Sequence, residues 1–261
     1  MVGHAVGRVV EARSECQFRR NGAQTPTMYE KGDEMDAADW TVVRRSTMFR
    51  TTDEAKLRDI IGDRSPRTHP RGQVLFLQGD HIDGLHLVVA GYVKLYRQTE
   101  EGADAIVGVH GPGQSFGETA ALLATPAHAT AETISEARIL TIDAERLRSR
   151  LGADPDLAFA MLASASMHLR SMVDELERLK GLPGPRRVAG FLCDLAGTDE
   201  GAASFDLPYE KSLIAGRLGM TPESFSRALA KLRDHGVSIE REHVRISKLQ
   251  NLRDFFEGEA A

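Results

Sequence analysis

Hydrophobic and polar positions change rhythm three times along the chain. Between residues 72 and 117 the runs Val74 to Leu77, Leu85 to Val89, Tyr92 to Tyr96 and Ile106 to Val109 are punctuated by Gly79, Gly84, Gly91, Gly102, Gly108, Gly111 and Gly113. A last pair follows at Ala129 to Thr133 and Arg138 to Ile142. Short β-prone runs of even spacing between glycine turns predict an all-β sandwich or barrel. Ahead of it, Leu57, Ile60 and Ile61 share the buried side of a short helix over Asp53 to Ile61. Behind it, Asp143 to Leu151 predicts a second short helix, and Asp154 with Pro155 opens the longest, running to about Leu179. In that helix Leu162, Ala165, Leu169, Met172, Leu176 and Leu179 are spaced 3, 4, 3, 4 and 3, a heptad seam. Such a stripe buries itself against a second copy of the helix. The alternative is packing against the chain's own β-domain.

Leu182-Pro-Gly-Pro185 breaks the long helix and marks a domain junction. Beyond it the pattern predicts a helix over Arg187 to Leu195, a loop over Gly197 to Ser204, and helices over Lys211 to Leu218 and Thr221 to His235, with only Gly219 and Met220 between the last two. Thr221 suits the cap, Pro222 the first helical position, and Glu223 the positive end of the dipole. Phe225, Ala228, Leu229 and Leu232 fall on one face, which leaves Glu223, Ser224, Ser226, Arg227 and Lys231 on the others, and Gly236 ends the helix. Two short helices across a glycine turn form the helix-turn-helix pattern. Val237 to Glu240 and His243 to Ser247 then predict a hairpin around Arg241 and Glu242, a wing.

The polar face of the Thr221 helix carries a chemical expectation. Arg227 can form a fork to O6 and N7 of guanine, and Glu223 can accept from the exocyclic amine of cytosine, or of adenine. Ser226 suits a base edge or a thymine methyl, whereas Lys231, Arg217 and Thr221 suit phosphates.

The chain has 261 residues, 41% hydrophobic and 27% charged, enough for two modest domains. A net charge of -5 does not advertise a nucleic-acid binder. Locally, however, Lys211, Arg217, Arg227, Lys231 and Arg233 outnumber Glu210, Glu223 and Asp234 between Pro208 and His235. A small basic face on an acidic body can bind a phosphate backbone. No apolar run reaches membrane-spanning length and no apolar leader follows the early arginines, so a cytoplasmic protein with no membrane partner is expected. Cys16 and Cys193 make neither a disulfide framework nor a C-x-x-C pair, and no metal site is expected. No Ser/His/Asp arrangement, H-E-x-x-H motif or P-loop stands out, so no catalytic residues and no enzyme are expected. Residues 1–45 are polar and without period, and are read as a flexible extension; Met28 and Met35 are possible alternative starts.

The order of parts resembles the Crp/Fnr superfamily of bacterial transcription regulators over about residues 45–256. The resemblance rests on G-Q-V-L-F-L-Q-G-D at 72–80, V-A-G-Y-V-K-L-Y at 89–96, G-Q-S-F-G-E at 113–118 and I-A-G-R-L-G-M-T-P-E-S-F-S-R at 214–227. It implies an α+β protein: an extension over 1–45, a cyclic-nucleotide-binding-like β-roll (jelly roll) over 46–151, a dimerisation helix over 152–181, and a winged helix-turn-helix over 182–261. It also implies a homodimer on double-stranded DNA, with RNA polymerase as a further partner. V-K-L-Y-R-Q-T-E-E-G at 93–102, A-T-P at 124–126 and P-E-S-F-S-R at 222–227 are similar to the dissimilatory nitrate respiration regulators, which answer nitric oxide through haem. The spacing E-x-x-S-R is similar to the Fnr branch and implies a TTGA…TCAA site.

For the effector, Phe116 to Leu122 resembles the segment that holds a cyclic nucleotide phosphate. Where its arginine would stand, ten residues after Glu118, this chain has His128 followed by Ala129, so no cyclic AMP binding is expected. Two cysteines cannot supply an iron–sulfur cluster with its four thiolates. Haem needs an axial side chain beside an apolar cavity; His168, flanking the seam, is the first candidate and His86, inside an apolar strand, the second. The rival reading is an effector-binding β-roll module that acts through protein partners instead of DNA.

Overall fold

A computed structural model of the protein describes residues 35–98, 104–198 and 200–258. Residues 1–34, where most of the expected extension and Cys16 lie, fall outside the described residues. Two helices, α1 (Ala37–Arg45) and α2 (Glu54–Ile61), precede the roll. Its strands are β1 (Arg67–His69), β2 (Val74–Phe76), β3 (Gly84–Ala90), β4 (Val93–Gln98), β5 (Asp104–His110), β6 (Ser115–Phe116), β7 (Thr130–Thr133) and β8 (Ala137–Asp143), with α3 (Glu118–Leu123) between β6 and β7. They form two antiparallel four-stranded sheets, ordered β1-β8-β3-β6 and β2-β7-β4-β5. Phe76, Val88, Val93, Leu95, Phe116 and Ile139 belong to one buried cluster, the filling of the sandwich.

Apart from His86, the run Leu85 to Val89 is apolar because β3 is buried on both faces. Val88 belongs to the sandwich filling. Leu85, Leu87 and Val89 instead pack with Leu57, Ile60 and Ile61 of α2 and with Leu147 of α4 (Ala144–Ala153).

Helix α1 corrects the expectation that residues up to 45 are a flexible extension. Asp36 caps it by accepting from the Asp39 amide at 2.7 Å, and Val43 is fully buried. Both carboxylate oxygens of Asp39, itself 1% exposed, accept from Arg138 of β8 at 2.7 Å. The Arg58 guanidinium stands 4.1 Å from the Trp40 ring centroid. A bidentate pair of this kind fixes orientation as well as position, so this helix belongs to the roll.

Helix α5 (Pro155–Gly181) starts on the roll. Asp154 accepts from the amides of Asp156 and Leu157 at its start and pairs with Lys56 at 2.9 Å. Leu157 and Met161 are buried, and the hydroxyls of Ser164 and Thr51 lie 2.9 Å apart. The seam faces elsewhere. Leu162 and Leu169 are each 63% exposed, and Ala165, Met172 and Leu176 are exposed too. The stripe therefore does not pack on the chain's own β-domain; the side chain of Leu179 lies outside the described residues.

The C-terminal part contains α6 (Gly184–Ala196), β9 (Ala203–Asp206), α7 (Lys211–Arg217), α8 (Pro222–Lys231), β10 (Val237–Glu240), β11 (His243–Ile246) and α9 (Leu249–Glu257). The second helix of the pair is shorter than expected: beyond Lys231 it tightens into a 3₁₀ turn over Leu232–His235 and ends at Gly236, φ 81°. A Cβ there would sit 2.2 Å from Ser247 Oγ, so only glycine fits. The wing has three strands, ordered β10-β11-β9, because part of the expected loop before Lys211 is strand β9. No helix among the described residues is long and apolar enough to cross a membrane.

Candidate nucleic-acid interface

Helix α8 is positioned from below. Phe225 and Leu232 are fully buried and Ala228 is 2% exposed, in one cluster with Val188, Leu192 and Ile214. Burying a phenylalanine side chain stabilises by about 1.5–3 kcal/mol, so the helix is held by the face that DNA would not see. Gly219, φ 62°, makes the turn that sets α7 across it. The opposite face carries Glu223, Ser226, Arg227 and Lys231, all exposed.

The polar groups of this face also hold one another. Thr221 caps the helix, its Oγ1 accepting from the Ser224 amide at 3.2 Å. That hydroxyl lies 3.2 Å from Ser224 Oγ, and Arg227 Nη2 donates to the Ser224 oxygen at 3.2 Å. Ser226 Oγ donates to the Pro222 carbonyl at 3.0 Å. Hydrogen bonds from its own backbone amide, from Thr221 and the charge of Arg227 hold the Glu223 carboxyl below the usual range. It is therefore an ionised acceptor, as a cytosine amine requires. Arg227 rests on a neutral hydroxyl, a weak partner to exchange for a guanine edge.

The structure thus gathers Thr221, Ser224, Glu223, Ser226, Arg227 and Lys231 on one helix end and face. Arg217 is apart from them. It ends α7 half-buried, Nη1 donating to the Tyr209 hydroxyl at 3.0 Å, its guanidinium 5.7 Å from the Phe191 ring centroid. Sequence reasoning named Arg217 and missed Tyr209, whose aromatic ring in a polar stretch was the one available signal.

The wing holds a second arrangement that sequence reasoning missed. His243 of β11 lies within 2.9 Å of Ser204 Oγ through Nε2 and 2.7 Å of Asp206 through Nδ1, both on β9. This is a Ser–His–Asp chain, which corrects the expectation of none. A catalytic relay works desolvated beside an oxyanion site, whereas the Asp206 side chain is 76% exposed. Here the three side chains tie edge strand β9 to the wing.

On the sensor side, His86 lies inside the sandwich. Its ring packs against Phe76, at 5.5 Å, and Phe116, at 5.1 Å, whose own centroids are 6.0 Å apart, and its Nδ1 lies 3.0 Å from Thr141 Oγ1. A Cβ on Gly117 would lie 3.4 Å from its Cδ2. Burial pushes its imidazole down to about 4. His86 is half-buried, its ring already engaged by Phe76, Phe116 and Thr141. His168 is exposed on α5. Glu118 opens α3 and accepts from Ser115 Oγ at 2.6 Å. His128 is exposed, Ala129 is buried, and the His128 carbonyl accepts from Arg97 Nε at 2.6 Å.

Two family models match: the cyclic nucleotide-binding domain over residues 66–154 and the Crp-like helix-turn-helix domain over 186–255. The CRP-like cAMP-activated global transcriptional regulator of Mycobacterium tuberculosis is 29% identical over 218 residues, 81% of this chain and 96% of that protein. The nitrogen fixation regulation protein FixK of Azorhizobium caulinodans is 30% identical over 178 residues, 66% of this chain and 70% of that one. A solved structure from Ruegeria pomeroyi DSS-3, named for cyclic nucleotide binding, is 40% identical with a TM-score of 0.70, covering 84% of this chain and 97% of that one.

Proposed function

Because the chain belongs to the Crp/Fnr family of DNA-binding transcription regulators, we propose that it works as a cytoplasmic homodimer on a two-fold symmetric TTGA…TCAA site. One observation carries this reading. A single chain leaves uncovered both the polar face of α8 and the apolar seam of α5. The seam pairs two chains, and the pairing sets two α8 helices against half-sites about one helical turn apart. RNA polymerase is the partner through which bound DNA becomes regulated transcription.

Arg227→Ala tests the base contact. The expected loss is about 1–3 kcal/mol on the best site, with relaxed preference at the guanine it reads. A variant that binds as tightly as wild type and with the same base preference contradicts the assignment.

The effector acts from the β-roll, and a ligand changes DNA affinity only by binding two states of the dimer unequally. Haem-borne nitric oxide enters this reading through His168, the exposed candidate, and not through His86. Cyclic AMP does not enter it, because His128 and Ala129 occupy the positions where a phosphate wants a guanidinium fork and a hydroxyl. Reconstitution with haem is expected to shift the Soret band in wild type and not in His168→Ala, while calorimetry with cyclic AMP gives no heat of binding. No Soret shift in wild type ends the haem reading, and micromolar cyclic AMP affinity ends the other.

A further inference from the structure

Tyr92, between β3 and β4, meets Tyr209 of the DNA-binding half edge-on, with 5.4 Å between ring centroids. Around this contact Ile106 and Val109 of β5 join the buried cluster of the DNA-binding half. Arg71 pairs with Glu210, the residue before α7. Tyr209 is buried, and its hydroxyl accepts from Arg217. We propose that Tyr92 and Tyr209 form an intramolecular latch that keeps Arg217 off the DNA backbone.

The inference rests on the DNA-binding reading of α7 and α8. The first helix of a helix-turn-helix crosses the phosphate backbone, and an arginine at its end can neutralise one phosphate and release a counterion. In the latched chain that guanidinium is donated inward to a phenol, and the phenol is pinned by Tyr92. Breaking the pin lets Tyr209 move and gives Arg217 a phosphate to exchange for the hydroxyl. The phenol offers this guanidinium a neutral acceptor, whereas a phosphate offers it an opposite charge, so the released state favours DNA.

The same contact borders the sensor. His110, which ends β5, feels the charges of Glu118, His168 and Arg217, and burial holds its imidazole below the usual range. It therefore favours the neutral form, which does not repel Arg217. An effector that prefers the released arrangement thereby raises DNA affinity without touching DNA.

Tyr209→Phe removes only the hydroxyl and tests the latch in the full chain. Fluorescence anisotropy is read with a duplex carrying the symmetric site and with one of unrelated sequence, from about 50 to 200 mM salt. Tyr209→Phe is expected to bind both duplexes about fivefold tighter or more, with the salt slope steeper by about 0.9 for each chain bound. Tyr92→Ala shifts affinity the same way, and adding Arg217→Ala to Tyr209→Phe cancels the gain. Unchanged or weaker binding by Tyr209→Phe, with an unchanged salt slope, overturns the latch. If neither wild type nor Tyr209→Phe binds either duplex, the DNA reading beneath the latch falls, and the latch with it.

Discussion

Replacing Leu162 and Leu169 together with glutamate is expected to convert a dimer to a monomer and to weaken binding to a symmetric duplex by about 10²–10⁴-fold. Both leucines are 63% exposed in the single chain. Each gains about 1.5–3 kcal/mol when a partner helix takes it from water; a carboxylate there must instead be desolvated facing its own copy. The helix stays seated, because Leu157 and Met161 hold its other face on the roll. The affinity falls because two linked reading heads become two separate ones. Sedimentation equilibrium gives the mass and anisotropy the affinity. A double variant that sediments with the mass of wild type contradicts the seam.

Acid is expected to destabilise the β-roll by about 3 kcal/mol through His86 alone between pH 6.5 and 4. Packed against Phe76 and Phe116, its ring is held down to about 4 from 6.5 by burial. Above pH 6.5 the group is neutral whether the chain is folded or not, so its contribution is constant. As pH falls from 6.5 towards 4 the unfolded chain takes up a proton that the native ring refuses, and stability is lost. Below about 4 both states carry the proton and the slope ends. His86→Leu leaves the Thr141 hydroxyl without this partner and costs about 1–3 kcal/mol near neutral pH, a deficit that shrinks towards pH 4. It should also flatten the acid limb relative to wild type. Denaturant midpoints of both proteins from pH 7 to 4 decide it; parallel curves would remove His86 as the cause.

What could be read from the residues alone depended on whether burial left a local pattern. Strands β2 to β5 were legible because glycines bound them, and β3 because its two buried faces write an apolar run that only His86 breaks; β1 and β6, of three and two residues, are too short to leave a pattern. Helix α8 was legible as well: Thr221, Pro222 and Gly236 mark its ends, and Phe225, Ala228 and Leu232 lie at helical spacing. Helix α1 was not, since it is held largely by Asp39 meeting Arg138, 99 residues away, and a lone carboxylate in a polar stretch reads as solvated. Strand β9 is too short and too polar to announce itself; Ala203-Ser-Phe-Asp206 is strand because β11 pairs with it. Helix α9 carried a usable signal in Leu249, Leu252 and Phe256 that went unread. The inward turn of Arg217 could not be read at all, because it depends on Tyr209, whose ring is met by Tyr92 from the other domain.

The claim at the centre is that two copies of α8, joined through the α5 seam, read a symmetric site. Anisotropy with a labelled TTGA…TCAA duplex at fixed salt tests it most directly, set beside the same duplex with its two guanines replaced and one retaining a single half-site. The account predicts two chains per symmetric duplex, with a loss of about 1–3 kcal/mol for each guanine replaced. Equal affinity for all three duplexes, or one chain bound per symmetric duplex, would contradict it.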